Sequence, residues 1–181
     1  MNVIKKILNK LLKRESYWEY CYRQGFRCGK NFQCNSEYPI DANFPWLISV
    51  GDDVTIADGV RILAHDASTV KVGAHSKIGI VQIGNNVFIG AGVIVLCDTR
   101  IGDNVIIGAG SVVTHDIPSN SVFAGNPAKY ICSFEEYQLK NRNYLQTHLY
   151  FNEFSWSEWS KQSDSKKKQM REKLKKTFGY V

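Results

Sequence analysis

The chain has 181 residues, a formal net charge of +6 and a 44% hydrophobic fraction, which fits one domain with short appendages around a packed core. No run of 18 or more apolar residues occurs, so a membrane-spanning helix is not expected. The positive charge gathers at the N-terminus and in residues 161–176 while the middle is nearly balanced. That distribution argues against a nucleic-acid groove along the core.

The start, MNVIKKILNKLLKRE, lacks an uninterrupted apolar stretch and a small-residue cleavage site, so a cytoplasmic protein is expected. Five cysteines (Cys21, Cys28, Cys34, Cys97, Cys132) are odd in number and form no CxxC pair. They read as reduced thiols, and no metal site is expected on them. Ile4, Ile7, Leu8, Leu11 and Leu12 share one helical face, with Lys5, Lys6, Lys10, Lys13 and Arg14 largely opposite. Such a helix packs on the body of the protein or on a neighbouring subunit. The alternative is peripheral contact with a membrane surface through residues 1–14. Residues 1–24 are therefore expected to form an N-terminal amphipathic helical segment.

From Gly25 the pattern changes. Cys28-Gly29-Lys30-Asn31-Phe32 has a hexad form, and hexads recur at Val50-Gly51-Asp52-Asp53-Val54 and at Ile56-Ala57-Asp58-Gly59-Val60. Between residues 83 and 117 the period is regular. An aliphatic residue returns every sixth position at Ile83, Ile89, Val95, Ile101, Ile107 and Val113, with Gly84, Gly90, Gly102 and Gly108 following it. Val87, Val93, Thr99, Val105, Ser111 and Ile117 stand four places after each aliphatic residue. Neither a helical period nor short alternation produces this. It predicts a parallel β-helix over residues 25–131, the aliphatic residue pointing inward and the glycine at a corner, where positive φ or close backbone approach is needed.

Two breaks interrupt the period. Residues 34–46, with Pro39 and Pro45, are expected to form a loop or irregular coil. Residues 63–69 form the second break, and loops thrown out of a rigid repeat are where function tends to sit. Val72-Gly73-Ala74-His75-Ser76 reads as another hexad or a strand edge. After Ile131, residues 132–181 are expected to form a C-terminal helical extension. In it Ser133 and Glu136 make a capping box for a helix of about fifteen residues, followed by an aromatic stretch and a basic helix over about 163–177.

The run IGNNVFIGAGVIV…IGDNVIIGAGSVVTHDIPSNSVFAGNPAKYI closely resembles the hexapeptide-repeat O-acetyltransferases, among them the maltose and galactoside acetyltransferases and enzymes that acetylate capsular or O-antigen sugars. The likeness spans about residues 25–131, and GFRCGKNF with the His65-Asp66 pair resembles the polysaccharide-modifying branch. It implies a mainly β fold, a left-handed parallel β-helix with N- and C-terminal α-helices, assembled as a homotrimer with sites between neighbouring coils. It also implies an O-acetyltransferase that moves an acetyl group from acetyl-CoA to a carbohydrate acceptor, with no metal and no nucleic acid.

Four histidines compete for the general base that such a transfer needs. His65 occupies the loop position of the family's catalytic histidine, with Asp66 beside it; the alternative is a solvated loop histidine. His75 is an acceptor-side candidate, and His148 is expected at the surface or in packing. His115 stands where relatives usually carry lysine, near the expected CoA edge. For acetyl-CoA the resemblance implies Ala91, Gly108, Ala109, Thr114, His115, Asn126 and Lys129. Phe88, in place of a common tryptophan, is expected at a subunit contact.

Three other readings compete with this one. A β-helix carbonic anhydrase needs three zinc-binding histidines, two of them close on one coil, whereas His65 and His75 are ten residues apart. A xenobiotic (antibiotic) O-acetyltransferase is expected to carry a longer, different loop. A non-catalytic scaffold trimer leaves His65-Asp66 and the AGNPAK stretch unexplained.

Overall fold

One strand and one corner make each hexad, and three hexads close a coil in the computed structural model, which describes residues 15–181. Of the helical segment expected over residues 1–24, residues 1–14 lie outside the described residues. The described chain divides into two compact units, one ending at Phe134 and the other comprising Glu135–Val181.

In the first unit, α1 (Tyr17–Arg23) leads into β1 (Arg27–Cys28) and β2 (Gln33–Cys34). The next coil holds β3 (Ile48–Val50), β4 (Thr55–Ile56) and β5 (Arg61–Ile62). A two-stranded ribbon, β6 (His65–Asp66) with β7 (Lys77–Ile78), then leaves the coil before winding resumes. The third coil holds β8 (Val81–Ile83), β9 (Val87–Ile89) and β10 (Ile94–Val95). The fourth holds β11 (Thr99–Ile101), β12 (Val105–Ile107) and β13 (Val112–Val113). β14 (Ser121–Ala124) and β15 (Lys129–Ser133) finish the unit.

Stacking sorts these strands into three faces. The first is β1-β3-β8-β11, the second β2-β4-β9-β12-β14-β15, and the third β5-β10-β13. All pairs are parallel except β14 with β15. Ile40 extends the third face by a bridge to Ile62.

The register measures the interruptions. Val81 pairs with Thr99, Val87 with Val105 and Ile94 with Val112, each 18 residues apart. Ile48 pairs with Val81, Thr55 with Phe88 and Arg61 with Ile94, all 33 apart. Fifteen extra residues therefore leave the coil between β5 and β8 without shifting the faces. Between the first two coils the interval is 22, so the segment before β3 carries four extra residues.

The interior follows the period. Ile83, Ile89, Val95, Ile101, Ile107 and Val113 are buried, as are Val87, Val93, Thr99, Val105, Ser111 and Ile117. Burying one such aliphatic side chain contributes roughly 1.5–3 kcal/mol, so the column of them carries the stack. Phe26, Trp18, Tyr22 and Phe32 pack together beside the first coil.

The corners divide two demands that the sequence pattern had assigned to one glycine. Gly84 meets close approach: a Cβ there would lie 2.5 Å from Asp103 Oδ1 and 2.8 Å from the Gly102 carbonyl carbon. Left-handed backbone falls two residues later, on Asn86 (φ 53°) and Asn104 (φ 54°) between the first and second faces, and on Gly92 (φ 69°) and Gly110 (φ 70°) between the second and third. Asparagine tolerates this region better than other residues with a Cβ.

Residues 72–76 depart from the expected hexad. Ser68–Val72 forms a 3-10 turn closed by Gly73 at φ 83°, and these residues are exposed. Val72 has no coil interior to enter, so the hexad spelling there is incidental.

In the second unit, α2 (Phe134–Thr147) is followed by β16 (Leu149–Tyr150), α3 (Trp156–Trp159), α4 (Asp164–Lys173) and β17 (Gly179–Tyr180). The basic helix ends at Lys173, short of residue 177, and Leu174 caps it. β16 and β17 pair in parallel. Trp159 packs edge-on against Phe151 and Phe154. His148 stacks on Phe178 at 4.2 Å between ring centres, which makes it a packing residue. Among the described residues no helix is long and apolar enough to cross a membrane.

Candidate active site

Asp41 and His65 occupy the same corner, between the third and first faces, in consecutive coils. Asp41 follows Ile40, whose bridge to Ile62 registers it one coil below the residues after β5. The Asp41 N–H donates to the Ile62 carbonyl at 3.0 Å. His65 begins β6, three residues beyond Ile62, where the ribbon departs.

The contact between the two side chains is direct: His65 Nδ1 meets Asp41 Oδ2. Asp41 is nearly out of solvent, its side chain 3% exposed against 27% for that of His65. Its burial is compensated, because Oδ2 also accepts from the Ala64 N–H at 3.0 Å and Oδ1 from the Asn43 N–H at 3.0 Å. With backbone donors holding the carboxylate, His65 Nδ1 is the ring nitrogen that carries the proton. Nε2 is left as the acceptor. The Phe44 ring lies 5.3 Å from the imidazole centre and covers one side of it.

Asp66 does not share in this contact. Its carboxylate accepts from the Ser68 N–H at 2.8 Å, and the Ser68 hydrogen bonds hold its pKa below the usual carboxylate value. His75 is exposed in the turn above the ribbon, where its carbonyl accepts from the Thr69 hydroxyl at 2.7 Å.

The remaining candidates fall on two edges of the third face. Thr114 and His115 follow β13 at the corner that bears His65, two coils further along. Thr114 Oγ1 lies 2.8 Å from His115 Nδ1. Ala91, Gly108 and Ala109 lie on the opposite edge, between the second and third faces. Here the Gly110 N–H donates to the Ala91 carbonyl at 2.8 Å, and a Cβ on Gly108 would meet Ala124 Cβ at 2.8 Å. Asn126 and Lys129 sit in and just after the turn from β14 to β15, near that edge, with Lys129 opposite Ala124. One chain thus gathers Asp41, His65, Thr114 and His115 on one edge, and the small residues with Asn126 and Lys129 on the other.

Residues 80–115 match the bacterial transferase hexapeptide (six repeats) family. Protein CapG of Staphylococcus aureus is 39% identical over 158 residues, which cover 83% of this chain and 91% of CapG. This chain belongs to the hexapeptide-repeat acetyltransferase family. As a member it winds left-handed, the exception to right-handed crossovers between parallel strands. The galactoside O-acetyltransferase of Escherichia coli (strain K12) is 33% identical over 138 residues, covering 75% of this chain and 63% of that enzyme. Among solved structures, a maltose O-acetyltransferase from Clostridium difficile 630 shares 30% identity over 71% of this chain and 83% of that one, with a TM-score of 0.47.

Asp41 is the residue of this candidate site that sequence reasoning did not assign. It lies 24 positions before His65 in the irregular segment, and its link depends on one coil folding back beneath the next. A signal did exist, because residues 34–46 break the period on the side of the coil where residues 63–69 break it. Among the described residues, no group of three or more His, Cys, Asp or Glu side chains is placed to hold a metal ion.

Proposed function

We propose that this acetyltransferase transfers an acetyl group from acetyl-CoA to a sugar hydroxyl, with His65 as general base, in the building of a capsule or related polysaccharide. The observation that carries the reading is the Asp41–His65 pair at the mouth of the inserted ribbon. An alcohol attacks a thioester poorly unless its proton is removed as the bond forms, and imidazole is suited to that near neutral pH. His65 Nε2 takes the hydroxyl proton while the sugar oxygen bonds to the acetyl carbon. Asp41 stabilises the imidazolium that results. The tetrahedral intermediate then expels the CoA sulfur, which receives the proton from Nε2, giving the acetyl ester and free CoA.

Acetyl-CoA is assigned to the edges formed by Ala91, Gly108, Ala109, Thr114 and His115, with Asn126 and Lys129 towards the nucleotide. Lys129 is exposed and offers a cation to phosphate. Because these residues flank opposite edges of one face in a single chain, the reading places the working site in a cleft between copies of a trimer. Val70, Val72, Ile78 and Ile80 support this. All four are more than half exposed in and beside the ribbon that carries His65, an apolar surface that a neighbouring copy would cover. The polysaccharide role draws its support from the likeness to CapG. Asp66 and His75, at the ribbon, are assigned to the acceptor side. A cytoplasmic location accompanies the use of acetyl-CoA.

The test is acetyl-CoA-dependent thiol release with a panel of nucleotide sugars and oligosaccharides. His65→Ala should lower kcat by about 10³-fold or more while acetyl-CoA binding and the oligomeric state stay intact. Retention of more than a few per cent of the rate rejects the assignment.

A further inference from the structure

Asp41 belongs to the segment with four residues more than a regular coil requires, yet its carboxylate must meet a ring on the next coil. Among the described residues Ile40 lies at the end of the third face, with Ile62 on one side and no further coil on the other. Its outward N–H and C=O would be bare edge groups.

Helix α1 supplies both partners from one side chain. The Tyr17 hydroxyl donates to the Ile40 carbonyl at 2.5 Å and accepts from the Ile40 N–H at 2.7 Å. One turn along the helix, the Tyr20 hydroxyl donates to the Ala42 carbonyl at 3.2 Å. The backbone is thus held on both sides of Asp41 by two phenols on one helix. The helix is itself fixed by a Ser16–Glu19 capping box and by the buried Cys21. The Tyr17 ring packs edge-on against Trp18 and Tyr38. Burial pushes its phenol well above the usual pKa, so it remains a neutral O–H donor.

We infer that Tyr17 and Tyr20 are positioning residues for the reaction, clamping the Asp41 segment so that its carboxylate keeps the His65 ring in its working orientation. This rests on the reading of His65 as the base. Both hydroxyls are engaged with the backbone beside Asp41 and act through it. The magnitude follows from geometry, since displacing a catalytic group by about 1 Å can cost about 10²-fold in rate.

The test uses the full-length enzyme with Tyr17→Phe, Tyr20→Phe and both together, substitutions that keep the rings and remove the hydroxyls. The double variant should lose on the order of tenfold in kcat with its KM for acetyl-CoA within about twofold. The downfield NMR signal of the His65 Nδ1 proton, assigned by its loss in His65→Ala, should broaden or shift. An unchanged kcat and an unchanged signal in a folded double variant overturn the clamp even when His65→Ala is inactive. An active His65→Ala overturns the base, and the proton signal then still reports whether the tyrosines hold the pair. Should the double variant fail to fold, Tyr20→Phe alone carries the test, with a kcat loss of about threefold expected and none overturning it.

Discussion

Two corners of the same coils have opposite characters. Between the first and second faces every turn repeats the last. Asn86 Nδ2 donates to Asn104 Oδ1 and Asn104 Nδ2 to Asn120 Oδ1, at 2.8 and 2.9 Å. A second ladder runs beside it, from the Asp52 N–H to Asn85 Oδ1, the Asn85 N–H to Asp103 Oδ1 and the Asp103 N–H to Ser119 Oγ. Between the third and first faces, the first two corners are broken by insertions, and there a buried carboxylate meets a partly exposed imidazole. Stacking needs one continuous seam and a filled interior. It leaves another edge free to carry a segment that has no counterpart in the neighbouring coil.

Mutations should separate the two edges. The largest effect is expected for Asp41→Asn. Asparagine offers one acceptor oxygen where the carboxylate offers two, and its NH2 group only donates, so it cannot accept from the Asn43 N–H, the Ala64 N–H and His65 together. The imidazole tautomer is disturbed, and kcat should fall by about 10²–10⁴-fold with a small change in melting temperature. On the opposite seam Gly84→Val should act on the fold. Its Cβ would collide with the Gly102 backbone, at a cost of about 3 kcal/mol, read as a lower denaturation midpoint. Asn104→Ala should be milder, about 2 kcal/mol for left-handed strain and lost ladder hydrogen bonds. That corresponds to a melting temperature lower by about 4–8 °C, with kcat per folded enzyme unchanged. A rate loss in Asn104→Ala matching that of Asp41→Asn would erase the distinction between the edges.

The fold was legible because the six-residue period records a local demand. A residue such as Ile89 must point inward and Gly84 must clear the coil above, whatever lies elsewhere in the chain. The departures were less legible. Val72-Gly73 has the letters of a hexad, but no neighbouring strand pairs there, and the letters alone do not report pairing. His65 was a candidate through its place in a break that resembles the family's. Asp41 was not, because its role depends on the 22-residue interval between the first two coils, and neither Asp41 nor its flanks carry a motif. The partnership of Tyr17 with Ile40 spans 23 positions and is equally invisible to a period. The helical spacing in α1 shows only that Tyr17 and Tyr20 share a face.

The reversal at β15 has a bearing on solubility. A coil with open parallel ends can template another coil, and chains of this shape risk growing end to end into fibres. After Ala124 the backbone doubles back, and Lys129–Ser133 covers the last parallel strand in the opposite sense. An incoming chain would then meet a strand of the wrong polarity with a lysine at its start. On this face the stack is thereby given an end.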